Sequence, residues 1–258
     1  MAIEENYHKL KSILGLSLSL AKAQFKLKNE GSYLGVFWYL LEPLALFLII
    51  LVIQGVFAVE GISYYPLYLL LGLIMFNFFS KTTNRASRII ADNSGFIKSI
   101  KISYESLVVS EVLEASFSHF FEIILFVIFM LIFKAPLAGL IFYPLIFGFV
   151  FIFVLGLSFI LTTLGTYIND LDNVWRVINR LLFFATPLFY ITVKNSFIYK
   201  LNLFNPIFYY ISIARDIIIY NSISGLWIIL GAITFSFIFL ILGIIIFEKY
   251  KYKFAELV

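Results

Sequence analysis

The chain has 258 residues, of which 62% are hydrophobic and 13% charged, with a net charge of +4 and no cysteine. Ordinary soluble domains carry about 25% charged residues, so this composition excludes a water-soluble globule. The absence of cysteine excludes disulfides and thiolate metal sites, and a modest positive charge on so apolar a chain bears on membrane topology rather than on nucleic acid. Long runs carry no charge: 20 residues from Gly61 to Ser80, 35 from Ala135 to Asn169 and 31 from Ile217 to Phe247. A helix needs ~20 residues to cross ~30 Å of hydrocarbon, so each run can span a bilayer.

In chain order, Leu10, Ile13, Leu14, Ser17, Leu18, Ala21 and Phe25 recur at helical spacing, with lysines on other faces. This predicts an amphipathic helix over 8–30 in the inner membrane interface, a solvated helical arm being the alternative. Residues 1–30 mix acids and lysines with apolar residues, so no secretory signal is expected and the first span is retained. Spans are expected over 34–58, 65–83, 107–133, 138–165, 174–193 and 226–247, in a single all-α membrane domain covering 1–258. The polar stretch 84–105 has room for a short cytoplasmic helix or two, and Asp92-Asn93-Ser94-Gly95 within it carries turn or cap chemistry. Segment 196–222 is too apolar for an external loop and too short and broken for two further spans. Asn205-Pro206 ends or starts a helix there, and two short re-entrant helices dipping into the outer leaflet fit the length. With the N-terminus inside, 15 of the 19 Lys and Arg fall in cytoplasmic segments and 4 outside, so both termini are expected in the cytoplasm.

Catalytic equipment is scarce. The chain has two histidines, His8 and His119, and lacks His-Glu-x-x-His, G-x-x-x-x-G-K-[ST] and G-x-S-x-G sequences. No metal site and no catalytic residue are expected, and any nucleotide used must be bound by another subunit. The third span is unusually polar: Glu111, Glu114, Ser118 and Glu122 stand at offsets of 0, 3, 7 and 11, within about 80° of one another on a helix. An acid at that depth costs ~2.5–3.5 kcal/mol against lipid, so the stripe must face protein or water. Three readings are open: acids paired between helices, the polar wall of a substrate conduit, or a proton relay. Aromatics are abundant, at 31 Phe, 16 Tyr and 3 Trp. An interfacial belt accounts for most of them, while inward-facing rings would offer an apolar surface for sugar C–H groups.

Several segments recur in order. Lys26-Leu27-Lys28, then Ser32-Tyr33-Leu34-Gly35-Val36-Phe37-Trp38 and Glu42-Pro43 lead into the first span. Tyr68-Leu69-Leu70-Leu71-Gly72-Leu73 and Phe78-Phe79 mark the second, followed by Asn93 through Lys101. Asn169-Asp170-Leu171, Thr186-Pro187-Leu188-Phe189-Tyr190 and Asn205-Pro206-Ile207 with Arg215 come after. In order and spacing over nearly the whole chain, these resemble the permease subunit of ABC-2 type polysaccharide-export transporters, the Wzm-like group of O-antigen and teichoic-acid exporters. Asn169 departs from the arginine usual there, and lysines replace the more common arginines before the first span.

The resemblance implies a homodimer with two separate ATP-binding-cassette subunits, which hold the ATP and Mg; no cofactor is expected in this chain. Asp92, Asn93, Ser94, Gly95, Phe96, Lys98 and Lys101, with the amphipathic helix, would couple to the ATPase. Lys26, Lys28 and Arg88 would meet a diphosphate at the inner mouth, and the Glu111–Glu122 stripe would wall the conduit. Phe189, Tyr190, Asn205, Pro206, Tyr209, Tyr210 and Arg215 would form the outer gate and aromatic path. The substrate would be an undecaprenyl-diphosphate-linked glycan crossing the bacterial inner membrane. Rival readings are a proton-coupled secondary carrier, against which stands the lack of an internal repeat, a membrane enzyme acting on lipid-linked sugars, and an ABC-2 exporter of a drug or lipid.

Overall fold

The computed structural model describes residues 2–57, 63–99, 102–192, 194 and 196–257, and among these no strand occurs. The helices are α1 (Ala2–Asn29), α2 (Trp38–Phe57), α3 (Tyr65–Ala86), α4 (Ile89–Asp92), α5 (Ser94–Ser99) and α6 (Tyr104–Ile132). After them come α7 (Tyr143–Tyr167), α8 (Leu171–Ala185), α9 (Phe197–Asn202), α10 (Pro206–Ala214), α11 (Leu226–Tyr250) and α12 (Phe254–Leu257). A π-helical stretch, Arg215–Ile219, prolongs α10. The ends of the expected first and fifth spans, at 58 and 193, and Lys101 lie outside the described residues.

Among the described residues, four helices have the length and hydropathy to cross a membrane, those of α2, α6, α7 and α11. α3 and α8 are more polar: α3 carries Lys81 and Arg85, and the 15-residue α8 carries Asp172, Arg176 and Arg180. Helix ends depart from hydropathy where tertiary partners or proline intervene. α6 begins at Tyr104 rather than 107, because its polar first turn has partners: Lys251 Nζ donates to Glu105 at 2.5 Å, and Ser106 is fully buried. α8 stops at Ala185, well short of 193, because Pro187 disfavours helical backbone at Thr186, whose ψ is 136°. Asn205-Pro206 starts a helix: Asn205 caps α10 by accepting from Ile207 N at 3.1 Å, with proline in the first turn.

α3 is the hub. Leu67 to Phe79 are buried on every face except at Asn77, because α2, α6, α7, α8 and α10 all pack against it. α1 lies along α6, burying Ser17 and Ala21, while Leu10, Leu14 and Leu18 stay exposed. The amphipathic stripe is therefore split, one edge packed on α6 and the other exposed. A second apolar cluster of Ile90, Leu107, Val108, Phe159, Phe247 and Phe254 gathers α4, α6, α7, α11 and α12 at the same end as α1. α9 and α10 occupy the opposite end. Outward faces remain strongly apolar: Ile49, Val52 and Ile53 on α2, Ile128 and Leu131 on α6, and Ile241 and Ile245 on α11 are all 47–67% exposed. Such belts suit hydrocarbon and not water, which makes this a multi-pass membrane protein.

Candidate functional site

At the α1 end, the acidic stripe of α6 meets Lys81 and Arg85, which stand one turn apart on α3. Arg85 Nη1 donates to Glu111 at 2.9 Å and to Glu114 at 2.7 Å, and Lys28 Nζ reaches the other Glu114 oxygen at 3.1 Å. Lys81 Nζ lies 2.8 Å from Glu42 of α2 and 3.7 Å from Glu122. His119 sits 3.3 Å from Glu122 through Nδ1 and bonds the Tyr143 hydroxyl of α7 through Nε2. Ser118 Oγ turns back to Glu114. Interhelical pairing, one of the three readings of the stripe, is present. Lys28, Glu42, Lys81, Arg85, Glu114 and Glu122 line a crevice of about 300 Å³.

Glu114 and Glu122 are 1% and 2% exposed, so their charges depend on those cations. Replacing Glu114 by leucine leaves Lys28 and Arg85 facing Glu111 alone. A sealed pair broken on one side costs about 3–5 kcal/mol, but the Lys28 and Arg85 side chains are 37% and 41% exposed, so about 2 kcal/mol is expected. Thermal unfolding in detergent checks this, with the Lys28→Met/Glu114→Leu double variant recovering part of the loss.

The α4–α5 arm is tied to α8 by charge. Arg88 Nε is 3.5 Å from Asp92, and Arg88 Nη1 donates to Asp172 at 3.2 Å, a carboxylate that Arg176 also meets at 2.9 Å. Asn179 Nδ2 donates to Asn84 at 2.9 Å, fastening α8 to the end of α3. Asn93, which ends α4, donates through Nδ2 to Ile89 O at 2.7 Å. Gly95, Phe96 and Lys98 point outward, Ser94 is half-buried, and Lys26 on α1 is exposed.

The opposite end is organised by Arg215, which is 4% exposed. Its Nε and one Nη donate to Tyr68 O at 3.1 and 3.0 Å, and further bonds reach Pro187 O at 2.6 Å and Leu188 O at 2.7 Å. The guanidinium stacks 3.3 Å from the Tyr68 ring centroid. One planar fork thus satisfies carbonyls from α3 and from the non-helical chain after α8. Gly72 makes room, since a Cβ there would stand 2.5 Å from Arg215 Nη2. Asn205 Nδ2 donates to Thr186 Oγ1 at 2.7 Å, and Tyr68 OH to Tyr190 O at 2.9 Å. Tyr209 OH donates to Leu203 O at 2.7 Å, Tyr210 OH reaches Ala232 O at 3.1 Å, and Phe189 packs on Phe183 and Phe184. Pro206 opens α10 beside this clasp.

The clasp brings Asn205 and Arg215 to one place together with Tyr68, Thr186 and Pro187. Lys28 and Arg88, paired on different acids, are not joined to Lys26. Sequence reasoning missed Lys81, Arg85, Asp172 and Arg180 as site residues. The available signal was spacing: Lys81/Arg85 and Asp172/Arg176/Arg180 repeat at four residues across the inner ends of the expected second and fifth spans, where an ionisable residue is a functional candidate.

These features define an all-helical, multi-pass membrane protein with an ion-paired crevice at one end and a guanidinium clasp at the other. No family model matches the chain. It is similar over its full length to the O-antigen export system permease protein RfbA of Klebsiella pneumoniae, two such relatives each being 26% identical over 262 positions and covering 100% of both chains. The O-antigen export system permease protein RfbA of Myxococcus xanthus is 24% identical over 177 positions, 68% of each chain. The resemblance to polysaccharide-export permeases therefore extends from the motifs to the whole length.

Proposed function

We propose that this chain is the transmembrane permease subunit of an ATP-binding-cassette exporter that carries a lipid-linked, O-antigen-like polysaccharide across a bacterial inner membrane. The full-length similarity to permeases named for O-antigen export carries the proposal. In this reading the chain is no enzyme. Two copies pair, and two separate ATPase subunits, which hold ATP and Mg, dock at the α1 end. That end, with both termini, faces the cytoplasm, as the excess of Lys and Arg supports. α2, α3, α6, α7, α8 and α11 are its six spans, and α9–α10 form the re-entrant pair.

The exposed face of α5, with Gly95, Phe96 and Lys98, is the docking surface for the ATPase, and Asp92, Asn93, Ser94 and Lys101 shape it. A push on that arm reaches α8 through Arg88 and Asp172. α8 transmits it as a rigid rod to the Thr186–Tyr190 segment, which Arg215 clasps to α3. The gate opens by shifting that clasp, a small displacement between packed elements. The substrate is an undecaprenyl-diphosphate glycan, drawn to the inner mouth by exposed Lys26 and passed along aromatic rings at the outer end.

In membrane vesicles, glycan export is expected to require both ATP and a partner ATPase. Transport by the chain alone that follows a proton gradient would overturn the reading. In the assembled exporter, Phe96→Asp is expected to reduce export about tenfold, the loss of one contact worth 1.4 kcal/mol, while the chain stays folded. Unchanged export in that variant removes α5 from the coupling role.

A further inference from the structure

α8 turns Asp172 and Asn179 toward the bundle and presents Asn173, Val177, Arg180 and Phe184 on its outward face. Arg180 lies nine residues beyond Leu171, roughly 13 Å along the helix. Among the described residues no acid stands within ion-pair distance of it, and its guanidinium has no hydrogen-bond partner. The neighbouring membrane-embedded acids are already engaged. Glu42 and Glu122 face Lys81, Glu111 and Glu114 face Arg85, and Asp172 holds both Arg88 and Arg176. Asp216, at the other end, accepts from Ser224 Oγ at 2.8 Å. Among the described residues, the protomer therefore supplies no ion-pair partner for Arg180.

Exposed Val177, Leu181 and Phe184 flank this guanidinium, at 56%, 65% and 62% exposure. A charge in such surroundings cannot face lipid and must meet water or an anion. One turn below, about 6 Å along the helix, Arg176 pairs with Asp172, and Arg88 pairs with Asp172 and Asp92, so the charges at that level are matched. On the outward face of α8, Arg176 is thus held by an acid, while Arg180 has no acid paired to it among the described residues. The guanidinium fork matches the oxygens of a phosphate in a two-bond geometry that an ammonium cannot copy.

We propose that Arg180 is the intramembrane contact for the phosphate or diphosphate group of an anionic, lipid-linked substrate. The proposal rests on the export reading above and moves the anion contact away from Lys28 and Arg88, whose charges Glu114, Asp92 and Asp172 already balance.

The test uses the full-length chain in nanodiscs of phosphatidylcholine, with geranylgeranyl diphosphate as probe, geranylgeraniol as its uncharged counterpart and phosphatidylglycerol as competitor. Arg180→Gln is expected to weaken diphosphate binding about tenfold, the loss of a charged hydrogen bond, and to leave the alcohol unaffected. Arg180→Lys keeps the charge and is expected to lose only about threefold. Wild-type affinity in Arg180→Gln would overturn the assignment. Displacement of the probe by equimolar phosphatidylglycerol would overturn it too, because the site would then hold bulk lipid. Loss of dimer cross-linking in Arg180→Gln together with wild-type binding in a covalently linked dimer would make Arg180 an interface residue instead. If the wild-type chain ignores the diphosphate altogether, the export reading loses its substrate; if it binds and Arg180→Gln binds equally, only the role of Arg180 falls.

Discussion

Alanine at position 215 is expected to unfasten the outer end of the molecule. Arg215 satisfies the carbonyls of Pro187 and Leu188, which lie outside any helix, and Pro187 O otherwise accepts only a long bond from Tyr68 OH at 3.4 Å. Each buried carbonyl left unpaired costs about 1–3 kcal/mol, so Arg215→Ala should lose about 3 kcal/mol of stability. Lysine restores the charge but not the planar fork, and recovers only part of the loss. Gly72→Ala should act on the same clasp from the other side by driving a methyl group into the guanidinium. Hydrogen exchange is the decisive measurement: amides from Leu188 through Ile207 should exchange faster in Arg215→Ala, while those of α7 and α11 keep their protection. Uniform protection across all of these would show that the clasp is dispensable.

The second large effect is expected where α7 meets α11. A Cβ at Gly156 would overlap the backbone of Phe239 and Leu240, and one at Gly243 would overlap the carbonyl of Gly156. Helices in a bilayer gain little from the hydrophobic effect against each other, so close backbone approach through small residues supplies the packing. The atoms met are main chain and cannot swing aside. Gly156→Leu should therefore separate the helices and loosen the T-shaped ring pairs along the seam, Phe153 on Phe239 at 5.1 Å and Phe159 on Phe247 at 4.9 Å. A loss of about 3 kcal/mol is expected, the upper range for overpacking. Gly148→Ala on the same helix is the control: nothing lies within 4 Å of its added Cβ, so it should stay within about 0.5 kcal/mol of wild type. Detergent-solubilised melting curves separate the two.

Much of the fold was legible because bilayer chemistry acts on runs of residues. Charge-free stretches, the Asn205-Pro206 helix start and the polar α4–α5 arm all follow from local composition. The end of α8 could also have been read locally, since Pro187 forbids the helix that average hydropathy would continue to 193. The early start of α6 could not, because Glu105 and Ser106 are helical only by virtue of Lys251 and α1, which are distant in sequence.

The same division governs the site. Periodicity alone placed Glu111, Glu114, Ser118 and Glu122 on one face, and solvation alone required that face to avoid lipid. Which groups answer those acids is a question of helix neighbours, and only the packing of α1, α2 and α3 around α6 supplies Lys28, Lys81 and Arg85. Composition likewise made this a membrane protein before any coordinate was known, since burial energy sums over residues regardless of their partners. Ion pairs and guanidinium forks work at about 3 Å, so Arg215 became a clasp and Arg180 a free cation only once the helices had taken their places.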